Sequence, residues 1–310
     1  MISVIIPCKN RILSLFDCLD SVLDAKKNAK YLFSALNCEI IIVNDHSDNG
    51  FVEQVIARYG NSVAVVNSTG VGPGYARNYG AQCSRGQYVF FTDSDCIVDK
   101  NWIANGFNRF QREKVKIIQG TPWLYQKKNW YGICEEKLYK LMFSRYINGN
   151  SSVMTDSRNL LFDRSVIESF GDKPFSEEQS NATAESRVFG KKCFAKGIPV
   201  IFDENVCVYH EDPRDLEEVC FQKYRHGMGR LLIWGKNQDF EELYLRYFCK
   251  PLAKGIPQKY VFPGHGAFLL GYYNNLSDKK ERQKFLSFLQ DVFARHGDSP
   301  ENYAELQRYL

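Results

Sequence analysis

The 310-residue sequence lacks most features that would place a chain across a membrane, in a secretory pathway or on a nucleic acid. No apolar run approaches the roughly 18 residues a membrane-crossing helix requires. The longest candidate, Ala267 to Tyr273, falls far short, and a soluble, cytoplasmic protein is expected. The opening MISVIIPCKN has neither a basic leader nor a long apolar core, so it reads as a first strand and not as a signal peptide. Neither sign of charge prevails: 40 Lys and Arg face 36 Asp and Glu, and the basic residues are scattered, which points to no nucleic-acid partner. None of the ten cysteines forms a CxxC pair and several lie inside apolar runs, so reduced, buried thiols are expected, not disulfides or zinc ligands. No GxGxxG opens a helix after the first strand and no GxxxxGK[ST] occurs, which disfavours a dehydrogenase or a P-loop enzyme.

What is present is an alternation of strands and helices. Ile2–Pro7 and Cys38–Val43 read as strands, and each is followed by apolar residues at helical spacing: Ile12, Leu15, Leu19 and Val22, then Val52, Val55, Ile56 and Tyr59. A third strand is expected over Ser62–Val66, and a helix over Pro73–Ser84 with proline in its first turn. Tyr88 to Phe91 is aromatic and β-branched without polar alternation, the pattern of a strand buried on both faces. This order predicts an α/β, doubly wound, mostly parallel sheet with helices on both faces.

Unusual polar residues gather just after the strands: Lys9 and Asn10, Asp45 and Ser47, Asp93 and Asp95. Ligands of open α/β sheets bind outside the carboxyl ends of strands, so these residues would share one edge. Asp93-Ser94-Asp95 offers two hard oxygen ligands one residue apart, suited to Mg²⁺ or Mn²⁺ holding phosphate; the competing reading is a surface turn, which Asp and Ser also favour.

Five segments carry a resemblance: SVIIPCKNR (Ser3–Arg11), VNDHSDN (Val43–Asn49), GPGYARNYGAQCSRGQYVFFTDSDC (Gly72–Cys96), SRNLLFDRSVIESFG (Ser157–Gly171) and VCVYHEDPRD (Val206–Asp215). In this order they resemble the family 2 glycosyltransferases, nucleotide-sugar-dependent enzymes of GT-A fold, over about the first two thirds of the chain. The resemblance implies that Pro7 and Lys9 line the nucleotide base, that Asp45 accepts the uracil N3–H, and that Arg77 steadies the nucleotide. It places Asp93 at the ribose, Ser94 beside it, Asp95 and His210 on a divalent metal, and Asn159 beside the sugar. Cys96 stands where many members carry another aspartate and is read as structural; His46 stands where glycine is usual and is assigned no role.

The catalytic base of the resembling family sits in a Glu-Asp pair opening a helix, and the corresponding segment here reads Ala184-Glu185-Ser186-Arg187. Serine cannot be a general base at neutral pH, which leaves Glu185 as the expected base, with Glu177 and Glu178 as alternatives. A more acidic acceptor nucleophile would need a weaker base. The expected activity is transfer, with inversion, from a UDP-sugar to a glycan, lipid, small-molecule or peptide acceptor, with Mn²⁺ or Mg²⁺. Two rivals stand beside it: a GT-A-like protein that binds nucleotide sugar or glycan without turnover, motivated by Ser186 and by Cys96, and a nucleotidyltransferase, whose glycine-rich basic loop Cys8–Arg11 does not supply.

The transferase domain is expected over 1–235 and a mainly helical extension, for acceptor binding, as a lid or for self-association, over 236–310, with helices near Lys279–Arg295 and Pro300–Leu310 and breaks at Pro251, Pro257 and Pro263-Gly264. A helix over Pro213–Trp234 carries Arg225, basic enough in context to face a diphosphate. The aromatic run Tyr260–Tyr273 reads as an acceptor lid or as a peripheral membrane contact.

Overall fold

The computed structural model describes residues 1–177, 184–234, 250–276 and 278–296. Glu178, the helix expected over 300–310 and the segment 235–249 lie outside the described residues. Compactness divides the chain into two units, the first comprising Met1–Gln126, Met142–Ser180 and Glu185–Glu211, the second Lys127–Leu141, Asn181–Ala184 and Asp212–Leu310.

The first unit begins with β1 (Ile2–Cys8), α1 (Ile12–Leu32), β2 (Cys38–Asn44), α2 (Phe51–Tyr59), β3 (Ala64–Asn67), α3 (Pro73–Cys83) and β4 (Tyr88–Phe91). Then come β5 (Cys96–Val98), α4 (Trp102–Arg112) and β6 (Ile117–Thr121). After α5 (Trp130–Phe143) follow β7 (Ile147–Asn148), β8 (Ser151–Ser152), β9 (Leu160–Asp163), α6 (Arg164–Ser169), α7 (Glu185–Ala195) and β10 (Ile201–His210). The strands order as β3-β2-β1-β4-β9-β6-β10-β8-β7, with β5 paired to β10. Pairing is parallel for β3, β2, β1 and β4 and for β6 with β10, whereas β9 runs antiparallel between β4 and β6.

The apolar strands are buried on both faces, as their unbroken hydrophobicity requires. Along β1, β2 and β4, Val4, Ile6, Ile40, Ile42 and Phe90 join one core with α1, α2 and α4, while Ile5, Ile41, Val43, Val89 and Phe91 join another with α3, α6 and α7. The side-chain period of two thus sends successive residues into opposite helix layers. Helix α1 presents Leu15, Cys18, Leu19, Val22, Ala25 and Ala29, the single stripe that its sequence spacing foretold. All nine described cysteines are free thiols.

The second unit contains α8 (Leu216–Trp234), α9 (Lys250–Ala253), α10 (Gln258–Asn275) and α11 (Lys279–His296), together with most of α5. By compactness the boundary falls at 211/212, where the sequence led to an expectation of 235/236, and α8 packs on α10. The approach is backbone-close: a Cβ on Gly227 would lie 2.0 Å from the Phe268 carbonyl oxygen, and one on Gly271 would lie 2.1 Å from that of Tyr224. Asp212 also belongs here, its carboxylate accepting the Lys127 and Asn129 N–H groups at 2.9 and 2.8 Å.

The expected break at Pro263-Gly264 does not occur, since α10 runs through both residues. Proline costs a helix one hydrogen bond, and the tight seat of α10 on α8 outweighs it. Tyr260, Val261, Phe268, Leu269 and Tyr272 are each at most 3% exposed, so these residues of the aromatic run are helical core. No described helix is long and apolar enough to cross a membrane.

Candidate active site

The carboxyl ends of β1, β2, β4 and β10 supply the site, and two backbone devices shape it. Asn10 and His46 follow β1 and β2 with φ of 56° and 59°, in the left-handed region that side chains rarely adopt. That conformation explains why glycine is usual at position 46 in the resembling family. The two turns are tied together: Asn10 N–H donates to Ser47 Oγ at 3.0 Å and Asp48 N–H to Asn10 Oδ1 at 2.8 Å. Asp45, 7% exposed, accepts the Gly72 N–H at 3.1 Å, joining the β2 edge to the start of α3. Pro7 is half-buried in β1, and Lys9 is exposed with no ion pair among the described residues.

Arg77 is the centre of the arrangement. It projects from α3, whose glycine face lets the helix lie close to the strands: a Cβ on Gly80 would sit 2.5 Å from Ile5. Its side chain is 4% exposed, with Nη2 2.5 Å from Asp93 Oδ1 and Nη1 2.7 Å from Glu185 Oε1. Burial works against the guanidinium's charge, but Asp93 and Glu185 more than offset it and hold the group more basic than usual. The remaining oxygen of Glu185, Oε2, is buried and has no hydrogen-bond partner among the described residues.

Asp95 faces two groups. Its Oδ2 receives Arg11 Nη1 at 2.7 Å, and its Oδ1 lies 3.4 Å from His210 Nε2. Burial opposes ionisation of Asp95, yet His210, Arg11 and Arg158 together keep its carboxyl below the usual range. His210 Nδ1 is 2.7 Å from the Glu211 carbonyl oxygen, which can only accept, so Nδ1 carries a proton in either state of the ring: as imidazolium His210 favours the ionised Asp95, and as neutral imidazole, the form that can ligate a metal, it turns the Nε2 lone pair toward Asp95. Two acceptors facing each other across 3.4 Å fit a shared cation, and the residues present therefore suit the divalent ion expected from the sequence. Ser94 is buried, 6% exposed.

Not every expected residue reaches this cleft. Asn159 is fully buried: Oδ1 accepts the Trp102 indole N–H at 2.8 Å and Nδ2 donates to the Val206 and Thr121 carbonyls. Its amide holds α4, β6 and β10 together. Glu177 has one oxygen on Asn78 and the other on Lys173, each at 3.0 Å; burial raises its pKa, but these bonds lower it below the ordinary value. Ser186 is buried, with its carbonyl taken by the Thr155 hydroxyl. Arg225 lies half-buried on α8 in the helical unit.

Sequence reasoning missed Arg11 and Glu211. Arg11 bonds Asp95 and lies 4.0 Å from Glu211 Oε2, which also accepts the Ser14 hydroxyl at 2.9 Å. The signal was available, since Arg11 follows a strand end like Lys9 and Asn10, but a lone arginine opening a helix is unremarkable in composition.

A mostly parallel sheet covered by helices, with acidic side chains gathered at its carboxyl edge, is the GT-A architecture expected from the sequence. The profile of glycosyl transferase family 2 matches residues 3–170, and that of glycosyl transferase family group 2 matches residues 88–276. The chain belongs to glycosyltransferase family 2. Among curated relatives, glycosyltransferase AglE of Haloferax volcanii is 23% identical over 75% of this chain and 74% of its own. Glycosyltransferase GlyG of Streptococcus pneumoniae is 27% identical over 42% of this chain, and the match spans only 41% of GlyG. Among solved structures, S. aureus TarS 1-349 in complex with UDP-GlcNAc superposes with a TM-score of 0.57 at 16% identity, covering 96% of this chain and 93% of that one, a likeness of fold.

Proposed function

We propose that this protein transfers a sugar from a UDP-sugar to an acceptor nucleophile with inversion, using a divalent cation, Mn²⁺ or Mg²⁺. The observation that carries the reading is the Arg77 bridge, because one buried guanidinium links the ribose-side carboxylate Asp93 to the candidate base Glu185. Family membership supports sugar transfer, and fold neighbours that hold UDP-GlcNAc and UDP support a uridine donor. Asp45, Pro7 and Lys9 would receive the uracil, Asp93 and Ser94 the ribose, and Asp95 with His210 the cation. A bound divalent ion would neutralise the departing diphosphate.

In this scheme Glu185 accepts the acceptor's proton on Oε2, the oxygen without a partner among the described residues, while Arg77 fixes Oε1. The activated nucleophile attacks the anomeric carbon from the face opposite the diphosphate, which inverts the configuration. Glu177 is less suited, since both of its oxygens already hold partners.

Incubation with a panel of UDP-sugars and Mn²⁺ tests the proposal through release of UDP. Slow hydrolysis, accelerated by an acceptor and reduced about a hundredfold or more by Glu185→Gln at similar KM, is the expected result. Tight binding with no UDP release under any acceptor condition would favour the non-catalytic binder that Ser186 suggests. An unchanged transfer rate in Glu185→Gln would remove Glu185 as the base.

A further inference from the structure

Cys96 was read as structural, but its placement gives it a second character. It opens β5, whose antiparallel register with β10 sets Cys96 directly opposite His210. Opposed residues of such a pair share a sheet face with Cβ atoms about 5 Å apart, so thiol and imidazole are neighbours by backbone design. Asp95 immediately precedes the pair. Cys96 Sγ lies 3.9 Å from Asp95 Oδ1, the oxygen that also faces His210 Nε2 at 3.4 Å, and the three ligand atoms all fall within 4.8 Å of one another. Arg11 occupies the other oxygen, Oδ2, and leaves this convergence clear.

We propose that Cys96 is a third metal ligand, making Asp95, Cys96 and His210 a centre that disfavours Mg²⁺, keeps the Mn²⁺ of the reading above, and binds more tightly still the borderline-soft divalent ions of the Zn²⁺ and Co²⁺ class. The inference rests on the metal reading of Asp95 and His210 given above and adds to it a ligand and a selectivity. Hard ions such as Mg²⁺ choose all-oxygen shells, whereas a mixed sulfur, nitrogen and oxygen set suits ions that bond thiolate at about 2.3 Å and imidazole at about 2.0 Å. On binding, the S–H bond breaks, the sulfur electron pair forms the bond to the ion, and the proton leaves to solvent. Packing against the core fixes the backbone of β5 and so pre-sets the sulfur, while the side chains of Asp95 and His210, 14% and 13% exposed, remain open to an entering ion.

The test is a titration of the metal-stripped full-length protein with Co²⁺ alone, followed by absorption. The expected result is a thiolate-to-cobalt charge-transfer band in the near ultraviolet that saturates at one equivalent, is bleached by stoichiometric Zn²⁺, and survives a large excess of Mg²⁺. Cys96→Ser should abolish the band and weaken Co²⁺ binding, measured by calorimetry, by roughly tenfold or more. Cys96→Ala, which places no new polar group in the core, repeats the comparison if the serine variant loses its circular dichroism. Co²⁺ binding without the band, or a band that persists in the Cys96 variants, overturns the thiolate ligand while leaving the Asp95 and His210 reading intact. No detectable Co²⁺ binding by the unaltered protein overturns both.

Discussion

At the scale of single residues, the site is governed by one arginine shared between two carboxylates. Arg77 is 4% exposed, and Asp93 and Glu185 are 26% and 10% exposed, so the three charges compensate one another where water cannot. Removing one member of a buried pair strands the others. Arg77→Ala should therefore lower stability by roughly 3 to 5 kcal/mol, read as a shift in denaturant midpoint. A loss below about 1 kcal/mol would mean that Asp93 and Glu185 find water or protons instead. Most of these residues were legible beforehand, because Asp45, Arg77, Asp93, Asp95 and His210 lie in motifs that resemble one family in order, and Glu185 opens the segment that corresponds to the family's Glu-Asp pair. Asn159 lies in such a motif too, yet motif membership cannot distinguish a residue that faces a ligand from one that binds three elements together. The convergence of Cys96 on His210 was hidden because it depends on strand register, which pairs residues more than a hundred positions apart.

At the scale of elements, the first four strands and their helices were readable, since unbroken apolar runs and helical stripes are local signals. The seating of α10 on α8 was not. Pro263 argued for a break, and only the contacts of Gly227 and Gly271 with facing backbone show why the helix continues. Gly271→Ala should cost about 1 to 3 kcal/mol through overpacking, with loss of hydrogen-exchange protection confined to α8 and α10. Within the same unit, Lys223 Nζ lies 2.5 Å from Glu135 Oε1, and the Tyr260 hydroxyl bonds the same carboxylate, beside the buried His265. Burial first, and Lys223 second, push the His265 pKa well below its ordinary 6.5. The folded unit thus keeps His265 neutral where the unfolded chain would protonate it. Stability is fully present above about pH 6.5 and declines as pH falls below it, by at most about 1.4 kcal/mol per pH unit until the folded-state pKa is reached. Melting curves recorded from about pH 7 to about pH 5 should show this loss, and His265→Gln should flatten it.

At the scale of the whole molecule, the strand order matters as much as its content. β9, formed by residues 160–163, lies between β4 and β6, strands that the chain supplies more than forty positions earlier. No local pattern announces such an insertion, which is why neither β6 nor β9 was foreseen. Its consequence concerns the growing chain. Until Leu160 to Asp163 have been synthesised, β4 and β6 each present a bare edge of unpaired amides beside Phe90, Phe91 and Ile118, with nothing yet available to cover them. A nascent or truncated product ending near residue 155 should therefore precipitate or be held by chaperones, whereas one ending near residue 211 should remain dispersed, as sedimentation of the two fragments would reveal. The late strand β9 would thus act as a checkpoint in translation, covering the two facing edges that make the intermediate adhesive.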